Sequence, residues 1–306
     1  MRLDIPLLNN LLEILNSRFP TLAAKWPALM DLIRLDKPIG VFLLLWPTLT
    51  ALWIAAAGWP GFKLLLIFSL GTFLMRSAGC CVNDFADYRY DGQVARTAER
   101  PLVSGRLERH DAFYFFLILC SLSFILVSFT NRQTMLLAFG AVFVAFIYPF
   151  MKRFTSLPQV VLGVAFSWGI LMAFTATRLQ LPPGAFVLFV ANLLWTVAYD
   201  TEYAMVDRDD DLALGIKSTA ILFGTADRAM IGMMQAMFLF AIWLAGRQFG
   251  LGLWFLLGLL VAAGLLVYQQ FLIRDRHADG CFKAFLNNNW VGLAIFAGVV
   301  LNYLFN

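Results

Sequence analysis

Charge is what this sequence has least of. Asp, Glu, Lys and Arg make up 14% of its 306 residues, against roughly 25% in an ordinary globular domain. Histidine is nearly absent, with only His110 and His277, far apart in the chain. Nucleophilic Ser/His or Cys/His catalysis therefore has no support, and neither a GxxxxGK[ST] phosphate loop nor an HExxH zinc motif occurs. The four cysteines form no disulfide pattern: Cys80 and Cys81 are adjacent, Cys120 lies within an apolar run and Cys281 in a late loop. They read as small buried hydrophobes. A cleavable signal peptide is not expected, because the first long apolar run begins only near Ile39.

Apolar sequence fills the space that charge leaves. Hydrophobic residues are 61% of the chain, and its mean hydropathy is +0.76. Soluble proteins do not carry this pattern, whereas an integral membrane protein does. Nine spans are predicted, at about 39–57, 63–84, 112–130, 134–150, 158–177, 184–203, 229–246, 251–272 and 285–304. Each approaches the length needed to cross ~30 Å of hydrocarbon at ~1.5 Å per residue. The expected fold class is all-α, a polytopic membrane protein. Two domains are expected: an N-terminal amphipathic surface segment, 1–35, broken by Pro20 and Pro27, and one transmembrane domain, 36–306.

Basic residues set the expected orientation. With the N-terminus inside, 18 of the 23 Lys and Arg fall in cytoplasmic segments, four fall outside, and Arg76 lies within a span. All 19 acidic residues fall on the same inner side. The positive-inside rule then puts the N-terminus and the chemistry on the cytoplasmic side and the C-terminus outside.

The chemistry is concentrated in two acidic runs, each following an apolar span. The first is NDFADYRYD at 83–91, in which Asn83, Asp87 and Asp91 are four apart and share one face of a continuing helix. The second is DRDDD at 207–211, with Asp207 and Asp211 again four apart and Asp200 two turns further back. Carboxylates crowded at an apolar edge repel one another unless a cation neutralises them. Oxygen-only ligands of this kind suit Mg²⁺, which is commonly held by one or two carboxylates together with substrate phosphates. One such run alone would more often be a solvated helix end. Two at the same membrane depth favour a shared metal and a diphosphate.

Arg76 precedes Asn83 by seven residues, on the same face and ~10 Å deeper along the helix. A guanidinium there must line a wet cavity, paired either with one of the Asp residues or with a small substrate's carboxylate. Arg96 and Arg100 after the first motif, Tyr148, Lys152 and Arg153 in YPFMKR, and Lys217 in GIKST are the residues that could complete a diphosphate cradle. Each could equally be a positive-inside anchor.

These segments resemble a known family. NDFADYRYDG followed by RTAERPLVSG, LLLWPT, YPFMKR, LPQVVLG and YDTEYAMVDRDDDLALGIKSTAILFG are similar to the bacterial 4-hydroxybenzoate polyprenyltransferases of the UbiA superfamily. The likeness runs from about Arg34 to the CFKAFLNNNWVG stretch at 281–292. It implies nine transmembrane helices around a central cavity, and transfer of a polyprenyl group from its diphosphate to the carbon ortho to the phenol of 4-hydroxybenzoate. By position, Asn83, Asp87, Asp91, Asp207 and Asp211 would hold magnesium. Arg76 would bind the benzoate, and Arg96, Tyr148, Lys152 and Arg153 would lie near the diphosphate. Two departures stand out. The segment before Arg34 is longer than the family pattern, and Glu202 stands where a neutral glutamine is expected, which adds a charge beside the second motif.

Implied partners are the polyprenyl diphosphate, 4-hydroxybenzoate and the lipid bilayer; neither nucleic acid nor an obligate protein partner is expected. Two other readings compete with this one. A related prenyltransferase with a different acceptor is disfavoured by Arg76 and the long second motif. A secondary transporter would need charged sites near the bilayer midplane, whereas here the charges crowd one rim.

Overall fold

The computed structural model describes residues 20–93 and 97–305. Among them the chain is helical, with no strand: α1 (Pro20–Leu32), α2 (Ile39–Ala56), α3 (Phe62–Asp91), α4 (Arg109–Ser128), α5 (Arg132–Met151), α6 (Pro158–Arg178), α7 (Pro183–Val206), α8 (Arg208–Leu214), α9 (Thr219–Phe223), a 3₁₀ turn (Gly224–Ala226), α10 (Asp227–Gln248), α11 (Leu253–Leu272) and α12 (Ala278–Phe305). Nine helical stretches among the described residues are long and apolar enough to cross a membrane. The nine predicted spans correspond to them one for one. The difference that matters for the site is at α3, which continues past residue 84 to Asp91 and so carries the whole first motif on one helix.

Local chemistry explains where the helices start and stop. Pro158 and Pro183 open α6 and α7, where a missing N–H costs nothing. Asn131 caps α5, its side chain accepting from the Thr134 N–H at 3.0 Å. Ala57 ends α2 in the left-handed region at φ 54°, and the Gly58 N–H bonds back to the Trp53 carbonyl at 3.0 Å. In α1 the expected break at Pro27 does not occur. The helix runs through it, and Ala28, Leu29 and Leu32 beyond it are buried, so the packed apolar face outweighs the one hydrogen bond a proline removes. The predicted amphipathic stretch before residue 20 lies outside the described residues.

The chain divides into two compact units. The first comprises residues up to Lys37 together with Ser77–Ile118, and the second Pro38–Arg76 with Leu119–Asn306. Ion pairs tie the first unit together. Lys25 Nζ meets Asp111 at 2.7 Å, Arg106 meets Asp31 at 2.5 Å and Arg34 meets Asp84 at 2.7 Å.

The second unit has an apolar core from α2, α6, α7, α10, α11 and α12, including Leu52, Phe174, Trp195, Phe238, Phe255 and Val299. Its helices approach closely where side chains are small: a β-carbon at Gly258 would come 2.6 Å from the Ala294 carbonyl and 3.0 Å from Gly298. Large apolar side chains such as Phe143, Phe240, Leu260 and Phe271 remain exposed on the spans, as a bilayer solvent requires.

Three consecutive asparagines on α12 bind three different helices. Asn287 accepts from Gln269 of α11 at 3.0 Å, Asn288 from Trp195 of α7 at 2.7 Å and Asn289 from Trp46 of α2 at 2.9 Å. Successive helical residues point ~100° apart, which is why one triplet can reach three neighbours. The same network absorbs Glu202. Its two carboxylate oxygens accept from Gln235 at 3.2 Å and Asn288 at 3.0 Å, and Gln235 also donates to Gln269. Glu202 is fully buried, and its hydrogen bonds give it a place in the helix packing.

Candidate active site

In the first unit, the last two turns of α3 bring the first motif into a ladder of alternating charge. Asp84 and Asp87 are buried, 2% and 3% exposed. Arg34 bonds Asp84 at 2.7 Å, and Arg100 reaches Asp84 at 3.2 Å and Asp91 at 2.5 Å. Asp91 lies in the field of Arg100, Asp87 and Asp84 together. Thr97 donates to the Asp91 carbonyl at 2.6 Å, closing the turn after the helix. Asp84 stands off the Asn83–Asp87–Asp91 stripe and faces two arginines, and so organises the basic residues. Arg100, expected at a diphosphate, is engaged with two carboxylates. Arg96 lies outside the described residues.

In the second unit, the second motif forms at a break. Asp207 ends α7 and precedes α8, with φ −97° and ψ 7°, and the Asp211 N–H bonds to the Asp207 carbonyl at 2.8 Å. Gly215, at φ 67°, terminates α8 after about two turns while the Ile216 N–H returns to the Asp211 carbonyl at 2.9 Å. The motif therefore sits on a short helix pinned at both ends.

Asp200, two turns back on α7, lies in the field of Lys152, Asp207, Arg76 and Asp211. Four of the sequence-predicted site residues, from α3, the end of α5, and α7 to α8, thus act electrostatically on this one carboxylate. Arg76 also acts on the buried Tyr199. Its guanidinium lies against Gly40, where an added β-carbon would meet Cζ at 2.7 Å and Nη2 at 2.5 Å.

The remaining basic residues divide. Lys152 caps α5 one turn after Tyr148. Arg153 is exposed and stands over the Phe150 ring, 5.6 Å from its centroid. The Lys217 N–H bonds to the Lys152 carbonyl at 3.2 Å, and its exposed amine rests 3.5 Å from the Phe154 carbonyl. The backbone contact joins the segment after α8 to the loop after α5.

Three contributors carry little signal in the sequence. Gly40 stands at the start of a span, and Asp84 lies off the Asn83–Asp87–Asp91 stripe. Asp227, fully buried, resembles an ordinary acidic residue in the first turn of a helix.

The donor chemistry fits a hard divalent cation: one amide and four carboxylates, spaced so that each motif presents oxygen along one side. Among the described residues no three acidic, histidine or cysteine side chains already stand together as a closed metal cage. Substrate phosphate oxygens commonly complete such a shell for Mg²⁺.

Residues 44–296 match the UbiA prenyltransferase family, so the chain belongs to that family. Its similarity is high to proteins named 4-hydroxybenzoate octaprenyltransferase. It is 60% identical to those of Pseudomonas aeruginosa strain UCBPP-PA14, over 90% of this chain and 93% of the relative, and of Stutzerimonas stutzeri strain A1501, over 90% and 92%. Among solved structures, the apo form of a UbiA homolog from Aeropyrum pernix K1 superposes with a TM-score of 0.75 at 22% identity, over 86% of this chain and 97% of that one. A UbiA homolog from Archaeoglobus fulgidus bound to GPP and Mg²⁺ gives 0.67 at 16% identity, over 90% and 99%. These two likenesses establish the fold.

Proposed function

We propose that this protein transfers a polyprenyl group from polyprenyl diphosphate to the ring carbon ortho to the hydroxyl of 4-hydroxybenzoate, a step of ubiquinone biosynthesis. The 60% identity to proteins bearing that name supports the substrate pair. The observation that carries the reading is that Arg76, Lys152, Asp207 and Asp211 all act electrostatically on the one carboxylate of Asp200 on α7.

Asn83, Asp87, Asp91, Asp207 and Asp211 are the residues that would hold magnesium. Magnesium, when bound, supplies Lewis-acid neutralisation of the leaving diphosphate. Lys152 and Arg153, with Tyr148, Arg96 and Lys217 as further contributors, would present positive or hydrogen-bonding groups to the same developing charge, while Arg100, engaged with Asp84 and Asp91, holds the first motif. Arg76 holds the benzoate carboxylate through its planar fork and so orients the ortho carbon towards the allylic C1. The apolar helices keep water from the allylic cation until the ring attacks it, after which the ortho carbon gives up its proton to a carboxylate such as Asp207 or to the departing diphosphate.

Residues 36–306 act as one transmembrane catalytic domain in this reading. The protein would sit in an inner membrane, and the distribution of lysine and arginine supports an orientation with its N-terminus and site facing the cytoplasm.

The test is an assay in membranes with labelled polyprenyl diphosphate and 4-hydroxybenzoate, with and without magnesium. Magnesium-dependent appearance of a prenylated benzoate is expected. Uptake of either compound without product, or prenylation of another acceptor in preference, would overturn the reading.

A further inference from the structure

Behind the second motif lies a cluster that the proposed reaction does not use. Asp227, the first residue of α10, is fully buried and carries two arginines from distant parts of the second unit. Arg208, between Asp207 and Asp211 in the motif, donates Nη2 to one of its oxygens. Arg276, in the loop after α11, donates Nε to both oxygens at 3.0 and 3.1 Å, and its Nη2 lies 2.8 Å from Oδ1. The Arg228 N–H adds a bond of 2.6 Å, and Arg276 Nη2 also donates to the Thr225 carbonyl at 2.8 Å. Arg276 adopts a left-handed backbone, φ 57°, to make this approach. For a residue with a β-carbon that conformation is strained unless its surroundings hold it.

The geometry of Arg208 shows which contact dominates. Its Nε is buried without a hydrogen-bond acceptor, a state that costs free energy, while its Nη2 is committed to Asp227. Arg208 also has two obvious alternatives in Asp207 and Asp211, one and three residues away. An arginine folded back on those carboxylates would neutralise them and compete with a metal.

We propose that Asp227 is a positioning residue: it draws Arg208 away from the motif carboxylates and, through Arg276, ties the motif helix to the loop between α11 and α12. It touches no substrate in this account and acts through α8. The inference rests on the reading that Asp207 and Asp211 serve a magnesium-bound diphosphate.

The test compares Asp227→Asn, Asp227→Glu and Arg276→Gln in the full-length protein. Hydrogen exchange of residues 208–216 is followed in metal-free protein, alongside magnesium and donor titrations of activity. Asp227→Asn should speed exchange in 208–216 at least tenfold while the core of α7 and α12 is unchanged. It should raise the half-saturating magnesium and donor concentrations about tenfold and leave the KM for 4-hydroxybenzoate alone. Asp227→Glu should recover most of both effects. Arg276→Gln, at an exposed side chain, should move the same quantities less, and it serves as the test if Asp227→Asn does not fold.

Unchanged exchange in 208–216, or a fall in kcat with magnesium and donor requirements intact, would overturn the proposal. If the wild-type protein makes no prenylated product, the functional reading itself fails. If it does and the variants keep the wild-type metal dependence, only the role of Asp227 fails.

Discussion

The guanidinium of Arg76 rests against the bare Cα of Gly40. A methyl group at that position would come 2.7 Å from Cζ and 2.5 Å from Nη2, well inside van der Waals contact. The obstructed atoms belong to the far end of a flexible side chain, so Gly40→Ala would move the arginine and leave the helices in place. Both residues lie in the second unit, and the contact gives a way to displace Arg76 without removing its charge.

If Arg76 holds the benzoate carboxylate, Gly40→Ala should raise the KM for 4-hydroxybenzoate about tenfold, and Arg76→Ala about 10- to 100-fold, the range of ~1.5–3 kcal/mol for a lost charged hydrogen bond. The donor KM should change little in either. Steady-state kinetics with each substrate varied in turn checks this, and an equal effect on both KM values would remove the assignment.

The acidic motifs predict a different signature. Asp87→Asn and Asp207→Asn should each lower kcat by at least about a thousandfold, as expected when a charge-stabilising element of a transition state is lost. Chelation with EDTA should abolish turnover, and added magnesium should restore it. Single-turnover assays with saturating donor separate this from weak binding. Near-normal rates in both variants would eliminate the metal role.

Asp84 and Asp91 should part company. Asp84 is buried between Arg34 and Arg100, so Asp84→Asn breaks two ion pairs and should cost about 2–3 kcal/mol of stability, in the range for hydrogen bonds to charged groups. Its effect on kcat should be about tenfold, as the arginine shifts. Asp91→Asn should abolish turnover with a smaller loss of stability. Thermal unfolding in detergent without magnesium, paired with activity, measures both quantities. Equal losses of activity in the two variants would mean that Asp84 is itself part of the chemistry.

The amide network supplies a control away from the site. Asn288→Ala removes the acceptor of Trp195 and a donor to Glu202, and should destabilise the protein by about 1–3 kcal/mol as buried partners are orphaned. KM values for both substrates should stay within twofold. A lower melting temperature with unchanged KM values is the expected result; a changed magnesium requirement would place this network in the site.

What could be read from one dimension was what one dimension encodes. The nine spans follow from apolar runs long enough for a bilayer, and the stripe of Asn83, Asp87 and Asp91 follows from a four-residue period on a continuous helix, because both depend only on neighbours along the chain. The resemblance to the prenyltransferases rested on contiguous segments, and residues 44–296 carry that family's match. Pairings between distant segments had no such signal. That Asp84 takes Arg34 and Arg100, that Asp227 gathers Arg208 and Arg276, and that Gly40 yields room to Arg76 are matters of which helix packs on which. Burial makes those pairings obligatory, since a carboxylate or guanidinium removed from water must find its partner in the fold, and only the folded chain specifies which partner it finds.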